Sequence, residues 1–467
     1  MYDLIREKLD GKKVVLLGFG REGQASYSLI RKVLPEIHLA ISDRNESLKE
    51  NALLTSDPNV ELLLGKSYLN RLSQFDVIIK TPGITLKDMD YPVPGESITS
   101  QTDLFLQVYF RQIVGVTGTK GKSTTSALLY HILKKAGRHA LLLGNIGRPA
   151  FDLVDEIRPE TVIVFEMSSH QLEYIKVAPH IAILLNLYQE HLDAYRSFLD
   201  YQLSKMNILK FQDSLDFFIF NADDDLILQR IAEKNAQSNF LPFSFNGSFP
   251  DGCFISDDKI IFSRNSKQED VLDLNKKRKL KGNHNLGNIM SVICACKILG
   301  IETVIIQEGI AGFTGLEHRM EYVGLVEGIK FYNDSIATIP EACMEAVKAL
   351  DQVDTLILGG FDRGIEYSVL ARFLSTSSTR NFIFTGDAGQ RIRAEFENIK
   401  RPDQQLFSIN LFDEFLDIAF HCTKPGTICL LSPAAASYNE FQNFEMRGKR
   451  YKELVLGKSD QKQEKKN

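Results

Sequence analysis

The amino-acid sequence predicts an α/β protein built from three domains. The chain has 467 residues, which at about 150 residues per domain corresponds to roughly three domains. Short apolar runs alternate with amphipathic stretches in three consecutive segments, a pattern that is typical of α/β folds. The runs are continuously apolar, as expected for parallel strands that are covered on both faces.

The three predicted domains are residues 1–97, 98–315 and 316–456, and the polar segment 457–467 is predicted to be disordered. The apolar runs that define the domains are 14–17, 37–42 and 77–80, then 113–117, 140–143, 161–165 and 181–187, and finally 355–358, 381–385 and 427–431. The Pro/Gly-rich stretch 91–95 is predicted to link the first two domains.

The composition excludes several classes of protein. Lys+Arg total 55 and Asp+Glu total 60, a net charge of -5, without the basic face of a nucleic-acid binder. No apolar run is long enough to span a bilayer, and the N-terminus lacks the apolar core of an export signal. The six cysteines show no CxxC spacing. We therefore expect a cytoplasmic protein with reduced thiols and without nucleic-acid or membrane partners. We also expect a monomer, although the composition does not bear on this.

A glycine-rich turn follows the first predicted strand. Gly18, Gly20 and Gly23 form GxGxxG between a strand and a helix, and Asp43 ends the next strand 20 residues later. This is the dinucleotide-binding fingerprint, in which the acid binds a ribose hydroxyl. The candidate ligands are a dinucleotide such as NAD or FAD, or another phosphate-bearing molecule at the helix N-terminus.

A second glycine-rich turn, within residues 113–125, predicts a nucleotide site. A strand leads to Gly118, and Gly121-Lys122-Ser123 opens a helix. Backbone N–H groups of such a turn wrap phosphate oxygens, the lysine reaches the β/γ-phosphates and the serine hydroxyl binds Mg²⁺. The spacing departs from Walker A, because the preceding glycines stand at 118 and 115 rather than 116. Because this turn predicts ATP chemistry in the middle of the chain, a redox function becomes less favoured. The first domain would then bind another phosphate-bearing ligand, and a nucleoside diphosphate fits better than NAD.

Three side chains after this turn are candidates for metal binding. Glu166 ends a predicted strand that lies one strand away from the glycine-rich turn. A carboxylate in this position is suited to bind Mg²⁺ or a water molecule coordinated to it. His191 is a candidate ligand, although a single histidine is more commonly structural. Lys205 lies in a predicted polar helix, where a solvated side chain is the default interpretation.

Polar residues later in the chain could hold a nucleotide. Asn285 and Asn288 share a helix face at i, i+3, and they either recognise a base edge or cap the helix. Arg319 and Asp334 lie beside strand-like runs of the third segment and could close over a nucleotide, although such residues are commonly surface charges.

Taken together, these motifs resemble those of the Mur ligases, a family of bacterial cell-wall synthesis. The resemblance covers nearly the whole chain, and the stretches 165–172 and 431–448 are the most specific, being typical of members that add D-glutamate. The ordered motifs are Gly18-Phe19-Gly20, Thr81-Pro82-Gly83-Ile84, Gly118-Thr119-Lys120-Gly121-Lys122-Ser123-Thr124, Gly144-Asn145-Ile146-Gly147, Phe165-Glu166-Met167-Ser168-Ser169-His170-Gln171-Leu172, His191-Leu192-Asp193, His284-Asn285 with Asn288, His318-Arg319, Asn333-Asp334-Ser335, Leu431-Ser432-Pro433-Ala434-Ala435-Ala436-Ser437 and Asn443-Phe444-Glu445-Met446-Arg447-Gly448.

The resemblance implies a Rossmann-like N-terminal domain for a UDP-linked substrate, a P-loop ATPase-type central domain and a Rossmann-like C-terminal domain for the amino acid. It implies the ATP-dependent ligation of D-glutamate to UDP-N-acetylmuramoyl-L-alanine through an acyl phosphate, in peptidoglycan precursor synthesis. The implied cofactors are ATP and two Mg²⁺ ions.

The resemblance also implies site residues. The catalytic residues are Lys122, Glu166, His191, Lys205 and Asn145, and the metal ligands are Ser123, Glu166, His191 and Lys205, the last as a carbamate. The ATP-binding residues are Gly118, Thr119, Lys120, Gly121, Lys122, Ser123, Thr124, Asn285, Asn288, Arg319 and Asp334. Gly20, Asp43, Arg44 and Thr81 are implied for the UDP substrate, and Thr338, Arg363, Ser437 and Phe444 for D-glutamate.

The most notable departure from the family pattern is at position 336, and His170, where Phe is frequent, is expected to be a tolerated packing variation. Ile336 stands where many members have a lysine after Asn333-Asp334-Ser335. Arg363 lies where a second basic residue of the family falls, and we expect it to carry the amino-acid carboxylate contact largely alone.

Four alternatives remain: a sister ligase for L-alanine or a diamino acid, a folylpolyglutamate-type synthetase, an NAD-dependent oxidoreductase, and a non-catalytic nucleotide-sensing protein. The Rossmann-like first domain argues against the diamino-acid and folate enzymes. The stretch 165–172 argues against the L-alanine enzyme. The complete set of Lys122, Ser123, Glu166 and His191 argues against the sensing protein.

Overall fold

The computed structural model of the protein describes residues 1–86, 93–190, 194–233, 236–276, 278–280, 283–350 and 352–464. The chain divides into two compact units, Met1–Phe313 and Thr314–Asn467. Three largely parallel sheets with interspersed helices confirm the predicted α/β class. Residues 91 and 92 of the predicted linker and the candidate ligand His191 lie outside the described residues.

The first sheet of the unit Met1–Phe313 has five parallel strands. The strands are β1 (Val14–Leu17), β2 (Leu39–Asp43), β3 (Val60–Leu64), β4 (Val77–Lys80) and β5 (Ile98–Thr99), and the helices of this region are α1 (Tyr2–Leu9), α2 (Arg21–Val33), α3 (Ala52–Thr55) and α4 (Gln101–Tyr109). The strand order is β3-β2-β1-β4-β5. Strand β1 is central and every residue in it is buried, which explains its continuous apolar sequence.

The second sheet of this unit has nine strands in the order β14-β13-β12-β11-β10-β9-β6-β8-β7. The strands are β6 (Ile113–Thr117), β7 (Ala140–Gly144), β8 (Val162–Glu166), β9 (Ile181–Leu184), β10 (Phe217–Asn221), β11 (Asn239–Ser244), β12 (Gly252–Ser256), β13 (Lys259–Arg264) and β14 (Lys267–Asp273), and the helices are α5 (Lys122–Lys135), α6 (Ser169–Leu172), α7 (Phe198–Lys210), α8 (Asp225–Ala232), α9 (Asn283–Ile298) and α10 (Thr303–Gly312). Strands β6, β8 and β9 are parallel neighbours, so their carboxyl ends meet at one edge. The last three strands pair antiparallel, which the sequence did not predict.

Short helix α6 joins the two sheets of this unit. It begins with a capping box between Ser168 and Gln171. The Gln171 amide also donates to Glu22 Oε1 at the start of α2, at 2.7 Å. Lys80, the last residue of β4, pairs with Glu173 at 3.3 Å. The carboxyl edge of β8 is therefore connected to the glycine-rich turn of the first sheet through one turn of helix.

The unit Thr314–Asn467 contains a six-stranded sheet in the order β15-β16-β20-β17-β18-β19. The strands are β15 (Glu321–Val326), β16 (Ile329–Asn333), β17 (Val353–Gly359), β18 (Asn381–Thr385), β19 (Gln405–Ile409) and β20 (Ile428–Leu431), and the helices are α11 (Pro340–Ala349), α12 (Ser368–Thr376), α13 (Gly386–Glu397), α14 (Phe415–Cys422) and α15 (Phe444–Glu464). Only β15 pairs antiparallel within this sheet, so the loops after β16, β17 and β20 lie at a common edge.

The C-terminal segment differs from its prediction. Helix α15 continues to Glu464, whereas disorder was predicted from residue 457. Buried Tyr451 and Val455 anchor the helix, and extending an existing helix through Lys, Gln and Glu costs far less than nucleating one.

In the part of the chain that the structure describes, no helix is both long and apolar enough to cross a membrane.

Candidate active site

The turn between β6 and α5 has a backbone that favours glycine. Gly118 has φ +149° and Gly121 has φ +88°, and Gly121 is the residue that precedes the first turn of α5. The helix ends at Lys135 and is followed by Gly137 at φ +71°. Ser123 and Thr124 occupy the first turn of α5. The turn and the helix N-terminus together form an arrangement suited to an anion.

Asn186, just beyond β9, fixes the shape of this turn. Its Oδ1 accepts from the Lys120 N–H at 2.8 Å and its Nδ2 donates to the Lys120 carbonyl at 3.0 Å. The Thr119 N–H donates to the Asn186 carbonyl at 3.0 Å, and the Thr119 hydroxyl lies 3.0 Å from the Tyr201 hydroxyl. Sequence reasoning missed Asn186 and Tyr201. The position of Asn186 after a strand at the carboxyl edge was the one available signal.

Glu166 is the last residue of β8 and its side chain is fully buried. Its Oε1 accepts from Asn145 Nδ2 at 2.9 Å, and the Asn145 N–H donates to the Glu166 carbonyl at 3.0 Å. Its Oε2 is buried and has no hydrogen-bond partner among the described residues. Leaving a buried carboxylate oxygen without a partner is costly, so this oxygen is suited to a cation.

Two lysines converge on the same carbonyl of the turn. Lys122 Nζ and Lys205 Nζ each donate to the Gly118 carbonyl at 2.9 Å. Lys205 is 1% exposed, so the expected solvated position on α7 is wrong. Burial, followed by the charge of Lys122, lowers the pKa of Lys205 well below its usual range, although Glu190 and Glu166 oppose this shift. Its surroundings therefore favour the neutral amine over the ammonium form.

The two asparagines of α9 lie beside the phosphate-binding turn. Asn288 Nδ2 donates to Asn285 Oδ1 at 3.0 Å, and both side chains are buried. A Cβ placed on Gly121 would lie 2.4 Å from Asn288 Oδ1. The asparagine pair is thus in contact with the turn rather than at a distant helix cap.

The first sheet carries the residues predicted for the UDP substrate at its carboxyl edge. Asp43 accepts from the Phe19 N–H and the Asn45 N–H, each at 2.8 Å, so this carboxylate holds the glycine turn in place. Thr81 donates to the Leu17 carbonyl at 3.0 Å.

Two glycines and an arginine complete this edge. A Cβ on Gly18, which has φ +95°, would lie 2.0 Å from Thr81 Oγ1. Gly20 immediately precedes α2, and a Cβ placed on it would meet nothing within 4 Å, which leaves open space next to the helix N-terminus. Arg44 is exposed beside Asp43.

Asp334 lies directly after β16 in the second unit and is 4% exposed. Its carboxylate accepts from the Ser432 hydroxyl at 2.7 Å and from the Met320 N–H at 3.1 Å. Burial raises the pKa of Asp334 to about 6, against the opposing effects of these hydrogen bonds and of Arg319. Arg319 is exposed and immediately precedes Met320.

The four residues predicted for D-glutamate lie at one edge of the third sheet. Arg363 Nη2 donates to the Thr338 carbonyl at 2.7 Å. The Ser335 hydroxyl donates to the Phe444 carbonyl at 2.8 Å. Ser437 is buried and follows Ala436 in the loop after β20. Sequence reasoning did not select Arg447, which is buried among the same loops.

Comparison with known proteins relates the whole chain to one family. Residues 116–296 match the Mur ligase middle domain. The chain is similar to the UDP-N-acetylmuramoylalanine–D-glutamate ligase of Clostridium botulinum (strain 657 / Type Ba4), with 32% identity over 451 residues, 95% of this chain and 96% of that protein. It is also 32% identical, over 97% of this chain and 98% of the relative, to the ligase of that name from Clostridium kluyveri.

Solved structures share the fold. The chain matches UDP-N-acetylmuramate–alanine ligase MurC from Thermotoga maritima with a TM-score of 0.52 and 18% identity, covering 96% of this chain and 99% of that one. It matches MurF from Acinetobacter baumannii with a TM-score of 0.55 and 15% identity, covering 98% of each chain.

Proposed function

The chain belongs to the Mur ligase family, among the UDP-N-acetylmuramoylalanine–D-glutamate ligases, and from this premise we propose how its residues carry out the ligation. The 32% identity over 95% of the chain is the observation that carries the assignment. The enzyme is an ATP-dependent ligase of peptidoglycan precursor synthesis. We assign it to the cytoplasm as a monomer, with UDP-N-acetylmuramoyl-L-alanine and D-glutamate as substrates.

The first step is phosphorylation of the substrate carboxylate. A carboxylate oxygen attacks the γ-phosphorus of ATP, and the bond between this phosphorus and the β-phosphate oxygen breaks. The products of this step are ADP and an acyl phosphate. Two anions must approach each other, so the positive charge of Lys122 and the N–H groups of Gly118 to Thr124 stabilise the phosphates. The Lys122 amine is held at the turn because it donates hydrogen bonds to the Gly118 and Thr119 carbonyls.

The residues present suit Mg²⁺. This ion is usually held by one or two carboxylates together with substrate phosphates, and Glu166 offers a buried unpartnered oxygen beside the turn that carries Ser123. The described residues contain no group of three or more His, Cys, Asp or Glu that could hold a metal without substrate. Ser123 and Glu166 would hold one ion, and His191 with carbamylated Lys205 a second. The ions would neutralise charge on the transferring phosphoryl group.

Lys205 is suited to carbamylation. Its buried amine has a lowered pKa, which favours the neutral, nucleophilic form. The nitrogen attacks CO₂, a C–N bond forms and a proton is released, which leaves an anionic carbamate. A buried cation becomes an oxygen ligand by this reaction, and its charge then favours a divalent ion.

The second step is attack by D-glutamate. Its amine attacks the acyl carbon, and the tetrahedral intermediate collapses with loss of phosphate and a proton. Asn145 orients Glu166 through their two hydrogen bonds. Arg363 is proposed to bind a substrate carboxylate, with Thr338, Ser437 and the backbone N–H of Phe444. We expect Arg363→Ala to raise KM for D-glutamate, and an unchanged KM would contradict this role.

The remaining assignments are those that the family resemblance implies. Gly20, Arg44, Thr81 and Asp43 are proposed to bind the UDP group, with Gly20 giving the phosphates access to the start of α2. Lys120, Asn285, Asn288, Arg319 and Asp334 complete the proposed ATP site.

Phosphate release tests the proposed function. ATP, Mg²⁺ and UDP-N-acetylmuramoyl-L-alanine are mixed with amino acids added singly. Release that needs both the nucleotide sugar and D-glutamate supports the proposal. Release with another amino acid would assign a different ligation step. No release with any amino acid would favour the redox interpretation of the glycine turn at Gly18–Gly23. An NADH titration would test that interpretation, because tight binding is expected under it and not under the ligase assignment.

A further inference from the structure

Arg447 is a buried cation in the second unit whose hydrogen-bond acceptors are all neutral. It lies in the first turn of α15 and is 2% exposed. Among the described residues it has no carboxylate partner, and all of its acceptors are carbonyls or a hydroxyl. Burying a guanidinium without an acidic partner is costly in free energy, so a purely structural role does not explain why an arginine is buried at this position.

The guanidinium connects three loops of the sheet edge. Nε donates to the Ser335 hydroxyl at 3.0 Å and Nη2 to the Ser335 carbonyl at 2.9 Å, in the loop after β16. Nη1 donates to the Gly359 carbonyl at 3.4 Å, at the end of β17. Nη2 and Nη1 donate to the carbonyls of Ala435 and Ala436 at 3.0 and 3.2 Å, in the loop after β20.

These are the loops that carry the proposed amino-acid site. Ser437 directly follows Ala436, whose carbonyl also accepts from the Phe361 N–H at 2.8 Å. Ser335 donates to the Phe444 carbonyl at 2.8 Å. Ile336, the apolar residue at the position where many members have lysine, directly follows Ser335.

We propose that Arg447 is the positioning residue of the amino-acid site: its guanidinium sets the spacing of the three loops, and its uncompensated charge attracts an anionic, dicarboxylate amino acid. This inference rests on the proposed function. Burial lowers the pKa of Arg447 to about 9, so the guanidinium stays charged at neutral pH. The carboxylate of Asp334 accepts from Ser432 and Met320 rather than from Arg447. We therefore expect substitution of Arg447 to affect the amino-acid site and not this ATP-binding candidate.

Arg447→Lys tests the proposal because it keeps the charge and loses the planar donor set. Phosphate release is measured with each substrate varied in turn. We expect KM for D-glutamate to rise about tenfold or more, while KM for ATP and for the nucleotide sugar stays within about twofold. A purely structural role would reduce the active fraction, and therefore kcat, without changing one KM selectively.

Arg380→Lys is the matched control in the same sheet. Arg380 binds Asp354 at 2.6 and 2.7 Å at the amino ends of β17 and β18, opposite the loops in question. Equal KM values for D-glutamate in the two variants, or a uniform change in all three KM values, would overturn the proposal.

Ser335→Ala decides the question if Arg447→Lys does not fold. It removes one acceptor of Arg447, and a smaller selective rise in KM for D-glutamate is expected, while no change would overturn the proposal. A wild-type enzyme that uses a different amino acid would instead refute the proposed function, and the variants would then be compared with that amino acid.

Discussion

At the scale of single residues, burial determines the chemistry of Lys205. We expect the Lys205 amine to take up carbon-13 label from labelled bicarbonate, because its pKa is lowered and its neighbours would accept an anion with bound Mg²⁺. Carbamate formation increases as the pH rises through this lowered pKa, since only the neutral amine reacts. Exhaustive removal of CO₂ should lower phosphate release reversibly, and Lys205→Arg should be inactive.

Lys210 provides the matched control for this prediction. It lies on the same helix, α7, but is exposed, so Lys210→Arg should keep the label and the activity. Full activity of Lys205→Arg would exclude carbamylation as a requirement.

The raised pKa of the Asp334 carboxyl group predicts a pH-dependent contribution to the free energy of unfolding. Its pKa is about 6 in the folded protein and 3.8 as the reference value, so the folded state binds the proton more tightly. The resulting stabilisation is present below pH 3.8 and is lost as the pH rises through 6, a change of about 3 kcal/mol. Asn does not titrate and can keep both contacts, since its Oδ1 can accept from the Met320 N–H and its Nδ2 can donate to the Ser432 hydroxyl oxygen. The stability of Asp334→Asn relative to wild type should therefore increase between pH 4 and pH 7.

Thermal melts of the full chain at several pH values measure this difference. Asp413→Asn, on the surface beside Arg450, serves as the control. A constant difference between Asp334→Asn and wild type across this pH range would contradict the prediction.

The sequence predicts those site residues whose surroundings are local. Glu166 and Lys122 were found because a strand end and a strand–turn–helix are each encoded within about ten residues. The burial of Lys205 depends on contacts with Gly118 and Tyr201, and the role of Arg447 depends on loops up to 112 residues away. Such long-range contacts leave no periodic signal in the chain.

At the scale of elements, the glycines at the two ends of α5 predict different effects of substitution. Gly121→Ala and Gly137→Ala both place alanine at positive φ, and each should cost about 1 kcal/mol of stability. Only the alanine at 121 would also approach Asn288 Oδ1. We expect Gly121→Ala to lose at least as much stability as Gly137→Ala, and Gly121→Ala alone to raise KM for ATP about tenfold.

Gly137→Ala is the control, because a Cβ there would meet nothing within 4 Å. The measurement is ATP-dependent phosphate release together with a thermal melt of each variant. If KM for ATP rises equally in both variants, the contact between the turn and α9 has no role in nucleotide binding.

The strands that are buried on both faces of a sheet were predicted well. Val14–Leu17, Ile113–Thr117 and Asn381–Thr385 were located residue for residue because continuous apolar runs identify them. The antiparallel strands β12 to β14 were missed, since charged residues interrupt their apolar pattern. The end of α15 was missed because composition alone does not distinguish a solvated helix from a disordered segment.

At the scale of the whole molecule, the proposed ATP site draws on both units. Lys122 and Asn288 belong to Met1–Phe313, whereas Arg319 and Asp334 belong to Thr314–Asn467. Substrates that are held by separate domains must meet for the reaction, and closure on ligand binding is a common solution in enzymes. We therefore expect small-angle scattering to give a smaller radius of gyration with a non-hydrolysable ATP analogue, Mg²⁺ and UDP-N-acetylmuramoyl-L-alanine than without ligands.

Controls separate this closure from ligand binding alone. UDP-N-acetylmuramoyl-L-alanine by itself should leave the radius of gyration nearly unchanged, because its proposed residues, Gly20, Asp43, Arg44 and Thr81, all lie in one unit. Asp334→Ala should weaken the compaction, since it removes a nucleotide contact from the second unit and leaves the phosphate-binding turn intact. An unchanged scattering profile at saturating nucleotide would mean that one unit alone binds ATP, and Arg319 and Asp334 would then be removed from the proposed site.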